Sequence, residues 1–246
     1  MKITHTPFLF FAAFAFINFT LPARAEMGPC KQDEKREVLI CGSGNGAAIV
    51  IRGTPSPSGR LALAWRTPDA PPTEEPDWDK IELLVLRVAD GAILSRGKTE
   101  YWDTGEGYGH VNRLEELAYW SPNSRLMIRS FNSRFSTDKV ELYAFNTDDK
   151  VTGPLDFLKI LDAAARARLK ARVKNADGYD FSLTSIKDEE TPATIDDRGL
   201  IRAEVMYWIP KMGPYYYYTV KARVVRAKGS LEARIVSIAY RGKQEE

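Results

Sequence analysis

The residues best equipped for chemistry lie in the stretch "TEYWDTGEGYGHVNR", from Thr99 to Arg113. It holds His110, Asp103 and Glu106, the weak candidates for catalytic residues. Any Ser-His-Asp site would depend on His110, because the other histidine, His5, lies in an apolar N-terminal run. The three side chains could also meet at a metal, but their spacing matches no known ligand pattern. The sequence therefore predicts neither a catalytic set nor a metal site here.

The same stretch is unusually aromatic and contains Tyr101, Trp102 and Tyr108 among its glycines. It is longer than a simple connection between two strands requires. Long loops placed on a rigid scaffold often carry binding residues. The three aromatic side chains are therefore candidates for contacting a ligand or a partner.

A second motif, "VLICGSGNGAA", places Gly42, Gly44 and Ala47 after a strand, as in dinucleotide-binding folds. That motif needs a helix directly after it, whose N-terminus binds the pyrophosphate. Here a β-branched segment and two prolines follow. We therefore expect a glycine-rich hairpin turn after Cys41 and no cofactor.

The N-terminal segment predicts export. Lys2 precedes an apolar run, and Ala23-Arg24-Ala25 has the small-x-small form of a cleavage site, so residues 1–25 read as a signal peptide. An uncleaved anchor is the alternative, although the run is short for a membrane span. Cleavage takes lysine plus arginine from 35 to 33, equal to the 33 acidic residues, which argues against nucleic acid as a partner. Residues 26–246 are then expected to form a single periplasmic or secreted domain, without stable membrane insertion.

Cys30 and Cys41 are the two cysteines of the chain. In an oxidising compartment such a pair predicts a disulfide that closes a short loop. Two unpaired thiols, or half of a metal site, are the alternatives.

A repeat organises the rest of the chain. "SPSGRLALAWRT" begins at Ser56 and "SPNSRLMIRSF" at Ser121, and each places a turn before an apolar strand. Further on, "DKIELLVLRVADG" from Asp79 matches "DKVELYAFNTDDK" from Asp138. Two matched blocks in the same order indicate an internal duplication.

The repeat predicts antiparallel four-stranded meanders at about 47–97 and 114–155, with a fainter third unit at about 179–241. An amphipathic helix is expected at about 155–174. The fold class is thus mainly β with one helix, and we favour a propeller-like arrangement of about three units. A β-sandwich-like α+β domain is the alternative.

The turn that opens each repeat resembles the blade repeat of TolB-type and WD40-like β-propellers. The resemblance implies an architecture and a frequent role in protein contacts, but no catalytic residues. Asn123-Ser124 departs from the Asp-Gly type of turn found in those repeats. The matching residues are Ser56, Pro57, Gly59 and Arg60 in the first unit and Ser121, Pro122 and Arg125 in the second.

The predicted helix has an apolar stripe and a basic side. Pro154 suits its start and Gly178 its stop. Such a helix either covers the end of a sheet or binds a membrane or an acidic partner. The stripe comprises Leu158, Leu161, Ala165, Leu169 and Val173, and the basic residues are Lys159, Arg166, Lys170 and Lys174.

Four consecutive tyrosines, Tyr215 to Tyr218, open a predicted strand. Alternation places Tyr216 and Tyr218 on the core face and Tyr215 and Tyr217 on the outer face. A hairpin would bring Trp208 beside the outer pair. These three aromatics form either a binding patch or a covered surface.

Two hypotheses of function follow. The first is a non-enzymatic binding or scaffolding module of the periplasm or cell envelope, whose partner is another envelope protein or a glycan. The alternative is an exported hydrolase or lyase that acts on a polysaccharide or peptidoglycan through acids near the stretch from Thr99 to Arg113.

Overall fold

The structure is a computed structural model that describes residues 27–72, 75–105, 114–134, 136–185, 191–209, 213–227 and 229–244. The expected signal peptide lies outside the described residues. So do three of the candidate residues, Glu106, Tyr108 and His110.

The first sheet has six antiparallel strands in chain order. Its strands are β1 (Cys30–Asp33), β2 (Val38–Cys41), β3 (Ala48–Val50), β4 (Leu61–Arg66), β5 (Glu82–Arg87) and β6 (Ala92–Lys98). A 3-10 turn at Trp78–Lys80 precedes β5. The four strands predicted for this unit are present, and β1 and β2 extend its sheet.

Cys30 and Cys41 face each other across β1 and β2, and they form the predicted disulfide. The glycine-rich segment after Cys41 is a turn between β2 and β3, as predicted. Gly42 and Gly44 have φ values of 81° and 66° there. Side chains with a Cβ rarely adopt this left-handed conformation, which explains the glycines without any bound phosphate.

The second sheet has four antiparallel strands in the order β10-β9-β8-β7. They are β7 (Glu115–Trp120), β8 (Leu126–Asn132), β9 (Thr137–Phe145) and β10 (Val151–Asp156). This sheet agrees closely with the predicted second unit.

Helix α1 (Phe157–Lys170) follows β10 directly. Asp156 caps it by accepting a hydrogen bond from the Lys159 N–H, so the helix begins later than Pro154, which lies in β10. Its buried residues are Phe157, Leu161, Ala165 and Leu169, spaced every four positions. Leu158 is only half-buried and Val173 lies beyond the helix end. Within the described ranges, no helix is long and apolar enough to cross a membrane.

The third sheet follows a 3-10 turn at Ala176–Gly178 and has five strands. They are β11 (Asp180–Leu183), β12 (Ala193–Ile195), β13 (Leu200–Trp208), β14 (Tyr215–Ala227) and β15 (Ser230–Gln244). The main order is β11-β13-β14-β15, and β12 also pairs with β13. The prediction of four strands missed β12, which is only three residues long.

The apolar faces of the three sheets stack on one another. Trp65 of the first sheet shares a core with Phe145 of the second. On the opposite face of the second sheet, Leu142 shares a larger core with Leu161 of α1 and Val220 of the third. The second sheet is therefore the middle layer, and burial of apolar surface on both of its faces joins the three sheets.

The three sheets also share one kind of turn, which directly precedes β4, β8 and β13. The side-chain oxygens of Ser56, Ser121 and Asp196 accept hydrogen bonds from the N–H groups of Leu61, Leu126 and Leu200 respectively. The fourth residue of each turn has a left-handed φ, at Gly59, Ser124 and Gly199. The sequence repeat thus corresponds to a repeated structure, and the third copy is one residue shorter.

Adjacent turns contact each other directly. The Ser58 N–H donates to Ser124 Oγ at 3.1 Å, and the Asn123 N–H donates to Asp197 Oδ1 at 2.9 Å. We call these two contacts the first and the second turn junction. In each, the third residue of one turn donates its N–H to the next turn, where the acceptor is the fourth residue at the first junction and the second residue at the second junction.

Candidate functional site

The described part of the aromatic loop belongs to the core between the first two sheets. Trp102 is buried and meets Trp65 edge-on, with 6.4 Å between ring centroids. The Asp103 carbonyl accepts a hydrogen bond from Trp65 Nε1, and its carboxylate accepts one from the Gly105 N–H. Burial, and then the charge of Asp103, raise the pKa of Tyr101 to about 12. These residues therefore position the loop, and no metal-ligand group forms within the described ranges.

The outer aromatics of the third sheet cluster as predicted, but they are largely covered. Trp208 is buried and stacks on Tyr215, with 6.4 Å between the ring centroids and 19° between the planes. Tyr215 is half-buried, as is Tyr217, whose hydroxyl donates to Gln244 Oε1. Glu204 is also buried on this face, where it pairs with Arg202. The indole of Trp208 thus offers little surface to a partner.

A buried ion network crosses the second sheet. Arg129 Nε donates to Glu116 Oε2 at 2.8 Å, and Arg129 Nη1 donates to Glu141 Oε2 at 2.7 Å. Thr99 and Tyr143 complete it with hydrogen bonds to Glu116 and Glu141. Burial alone would lower the pKa of Arg129, but the two ion pairs outweigh it and raise that pKa. The hydrogen-bonding groups of these residues are paired with one another, so we interpret the network as structural.

One candidate site is a pocket of about 390 Å³ where the end of α1 meets the third sheet. We call it the arginine pocket. Its inner wall is Tyr218 of β14, which is fully buried. Its lining residues are Arg168, Ala171, Arg172, Tyr218, Ile238 and Tyr240.

Local structure places these side chains together. Arg168 and Arg172 are four residues apart on either side of buried Leu169, and the Arg172 N–H still donates to the Leu169 carbonyl. They therefore project from the same side of the chain. In the sheet, Tyr218 pairs with Tyr240, and a bulge shifts the register immediately beyond them. Their rings lie 5.4 Å apart.

The charges of the arginine pocket are not neutralised internally. In the part of the chain that the structure describes, no carboxylate forms an ion pair with Arg168 or Arg172. Arg172 instead lies over the ring of Tyr240, with Cζ 3.9 Å from its centroid. By contrast, three of the basic residues predicted on the helix are paired: Lys159 with Asp156, Arg166 with Asp162, and Lys170 with Asp177.

The Tyr218 hydroxyl is the second unusual group of the pocket. It is buried, and no described residue forms a hydrogen bond with it. Burial raises its pKa, against a smaller opposing effect of Arg172. The hydroxyl therefore stays protonated at neutral pH and can donate to an incoming acceptor.

Comparison of the chain with protein-family models, with curated proteins and with solved structures finds no match in any of the three. The arginine pocket is therefore interpreted from its own chemistry.

Proposed function

We propose that this protein is an exported, non-catalytic binding module of the periplasm or cell envelope, and that its arginine pocket holds an acidic group of the ligand. One observation carries the proposal: among the described residues, two guanidinium groups without a counter-ion flank a buried hydroxyl without an acceptor. A buried hydroxyl without a partner costs about 1–3 kcal/mol. A carboxylate would supply the missing acceptor and the missing negative charge.

The chemistry of the two arginines favours a carboxylate. The planar guanidinium fork matches the two oxygens of a carboxylate and forms strong, charge-assisted hydrogen bonds. The contact of Arg172 with the Tyr240 ring holds one guanidinium at the pocket before a ligand arrives. The pocket volume of about 390 Å³ suits a single sugar acid or an acidic side chain rather than a whole polymer.

Two further features support an exported binding role. The disulfide between Cys30 and Cys41 is stable in an oxidising compartment. The repeated turns and stacked sheets suit a propeller-like relationship among the three units, an architecture that often serves binding. In this proposal the ligand is an acidic glycan or an acidic segment of an envelope protein.

Replacing Arg168 and Arg172 together by methionine tests the proposal. Glucuronate and N-acetylglutamate represent the two sources of carboxylate, and glucose is the neutral comparison. We expect the wild-type protein to bind at least one of the acids, and the double variant to bind it about tenfold or more weakly, because two charge-assisted contacts are lost. Isothermal titration calorimetry measures the affinities.

The matched control is Lys159→Met, which removes a charge from the same helix but leaves the pocket intact. It should bind like the wild-type protein. Equal affinity of the double variant and the wild type for the acids, or no preference for acids over glucose, would contradict the proposal.

Two neighbouring tyrosines give a second test. Tyr218→Phe removes the unpaired hydroxyl, so we expect weaker acid binding, by about twofold to tenfold, with no loss of folding stability. Tyr207→Phe removes a hydroxyl that donates to Asp162 Oδ1 at 2.8 Å. It should lower the free energy of unfolding by about 1–2 kcal/mol and leave binding unchanged. Urea unfolding and calorimetry together separate the two outcomes, and the reverse pattern would count against the pocket.

A further inference from the structure

The two turn junctions occupy equivalent places in the fold but carry opposite charges. At the first junction, Arg60 follows the Ser56 turn and forms an ion pair with Asp149, at 3.0 Å between Nη2 and Oδ1. Asp149 lies in the turn after the third strand of the next unit, and its side chain is only 7% exposed. Arg87 approaches the other carboxylate oxygen at 3.7 Å. An internal carboxylate thus neutralises the first junction.

At the second junction, Arg125 takes the place of Arg60, since it follows the equivalent Ser121 turn. The third strand of the next unit is now β14, and Arg226 lies near its end, in the hairpin that approaches the Ser121 turn. Arg226 Nη2 donates to the Arg125 carbonyl at 2.9 Å. The hairpin of the next unit therefore brings an arginine to the turn arginine at the second junction, whereas it brings the Asp149 carboxylate at the first.

The second junction also surrounds a pocket of about 290 Å³, lined in part by Arg125, Arg226 and a third arginine, Arg198. The single carboxylate on its wall, Asp197, accepts a hydrogen bond from the Asn123 N–H. Across the described residues, none of the three arginines has a carboxylate within 4.0 Å. Three cations and one anion leave a net charge of about two positive units in this pocket.

Arg125 is half-buried and Arg226 is exposed, and neither forms an ion pair with a carboxylate among the described residues. Burial, and then the charge of Arg125, lower the pKa of Arg226. Like charges that lie close together repel each other, and an anion between them relieves that repulsion. Within the ranges that the structure describes, no carboxylate supplies such an anion at the second junction, whereas Asp149 supplies one at the first.

We propose that the second turn junction is a binding site for a phosphate group, which there takes the role that the Asp149 carboxylate has at the first junction. A phosphate monoester carries about −1.5 to −2 charges at neutral pH, which matches the net charge of the pocket. Its oxygens can accept hydrogen bonds from several guanidinium groups at once. This site is separate from the arginine pocket and does not depend on the function proposed for it.

The site is tested with inorganic phosphate and with glycerol 1-phosphate, each titrated at constant ionic strength against chloride. The full chain is used, with binding followed by calorimetry and by the midpoint of thermal unfolding. We expect phosphate to bind and to raise that midpoint. Binding of both probes indicates that the group can belong to a larger molecule, whereas binding of inorganic phosphate alone assigns the site to the free ion.

Arg226→Asp restores the charge arrangement of the first junction. It should weaken phosphate binding by about tenfold or more, and should raise the unfolding midpoint in the absence of phosphate, because Arg125 gains an internal partner. Arg226→Gln is the second variant, in case the aspartate disturbs the fold, and it too should weaken binding.

Arg60→Gln is the matched control, because it alters the equivalent arginine where Asp149 already neutralises the site. It should bind phosphate like the wild type, as should the Arg168→Met, Arg172→Met variant of the arginine pocket. No phosphate binding by the wild type, or binding by Arg226→Asp and Arg226→Gln that equals that of the wild type, would overturn the inference.

Discussion

Replacing Arg129 by leucine is expected to lower the free energy of unfolding by about 3–5 kcal/mol. The side chains of Arg129 and Glu116 are 2% and 0% exposed, so the substitution leaves a carboxylate buried without its partner. The cost comes from that uncompensated charge more than from the lost attraction. Urea unfolding followed by circular dichroism measures it.

An exposed ion pair provides the control for Arg129. Arg234 pairs with Glu232 at 3.0 Å on β15, but their side chains are 70% and 48% exposed. Arg234→Leu should therefore change the free energy of unfolding by less than about 1 kcal/mol. Similar decreases in the free energy of unfolding for both variants would contradict the prediction, because burial of the Arg129 network would then add no extra cost.

The second large effect concerns the disulfide. Replacing Cys30 and Cys41 together by alanine is expected to lower the free energy of unfolding by about 2–4 kcal/mol. The two cysteines are separated by 11 positions, so the bond restricts a short loop in the unfolded chain. Alanine avoids burying a hydroxyl at Cys41, which is fully buried.

The same loss should appear when the wild-type protein is unfolded in a strong reductant. The double alanine variant gives the control, because reductant should not change its stability at all. If neither the reductant nor the substitution lowers the free energy of unfolding, the prediction is wrong. β1 would then be held by its pairing with β2 and by the hydrogen bond from the Cys30 N–H to the Val88 carbonyl.

Much of the fold could be predicted because it depends on local patterns. The Ser56 and Ser121 turns predict the strands β4 and β8. Both the turn and the strand that follows it are recognised from residues that are neighbours in the sequence. The segment "CKQD" of β1 shows no such alternation. It becomes a strand through the disulfide and its pairing with β2, which are contacts that no local pattern encodes.

The candidate sites were harder to predict for the same reason. The sequence showed a basic helix, but only the tertiary structure determines that Asp162 and Asp177 neutralise Arg166 and Lys170. Arg168 and Arg172 have no acidic partner among the residues that the structure describes, and Tyr218 meets them from a strand almost fifty residues later. The sequence shows that Arg168 and Arg172 are four residues apart and therefore lie on one side of the predicted helix. It does not show that Tyr218 and Tyr240 lie opposite them.

Tyr218 also corrects the interpretation of the tyrosine run. Alternation placed it in the core, and it is indeed fully buried. A core position predicts only that the side chain packs against its neighbours. In the structure, the Tyr218 hydroxyl also reaches the arginine pocket, where no described residue forms a hydrogen bond with it. A buried tyrosine can therefore serve packing with its ring and recognition with its hydroxyl.

The double-sided packing of the middle sheet has a consequence for how the chain can be divided. Met127 and Phe145 contribute to one core, while Ile128 and Leu142 contribute to the other. A fragment containing only β7 to β10 would expose apolar surface on both faces and would be expected to aggregate. The outer units act as caps in the sense used for repeat proteins, each shielding one face of the central repeat. The second unit can therefore be duplicated or exchanged only together with neighbours that cover both of its faces.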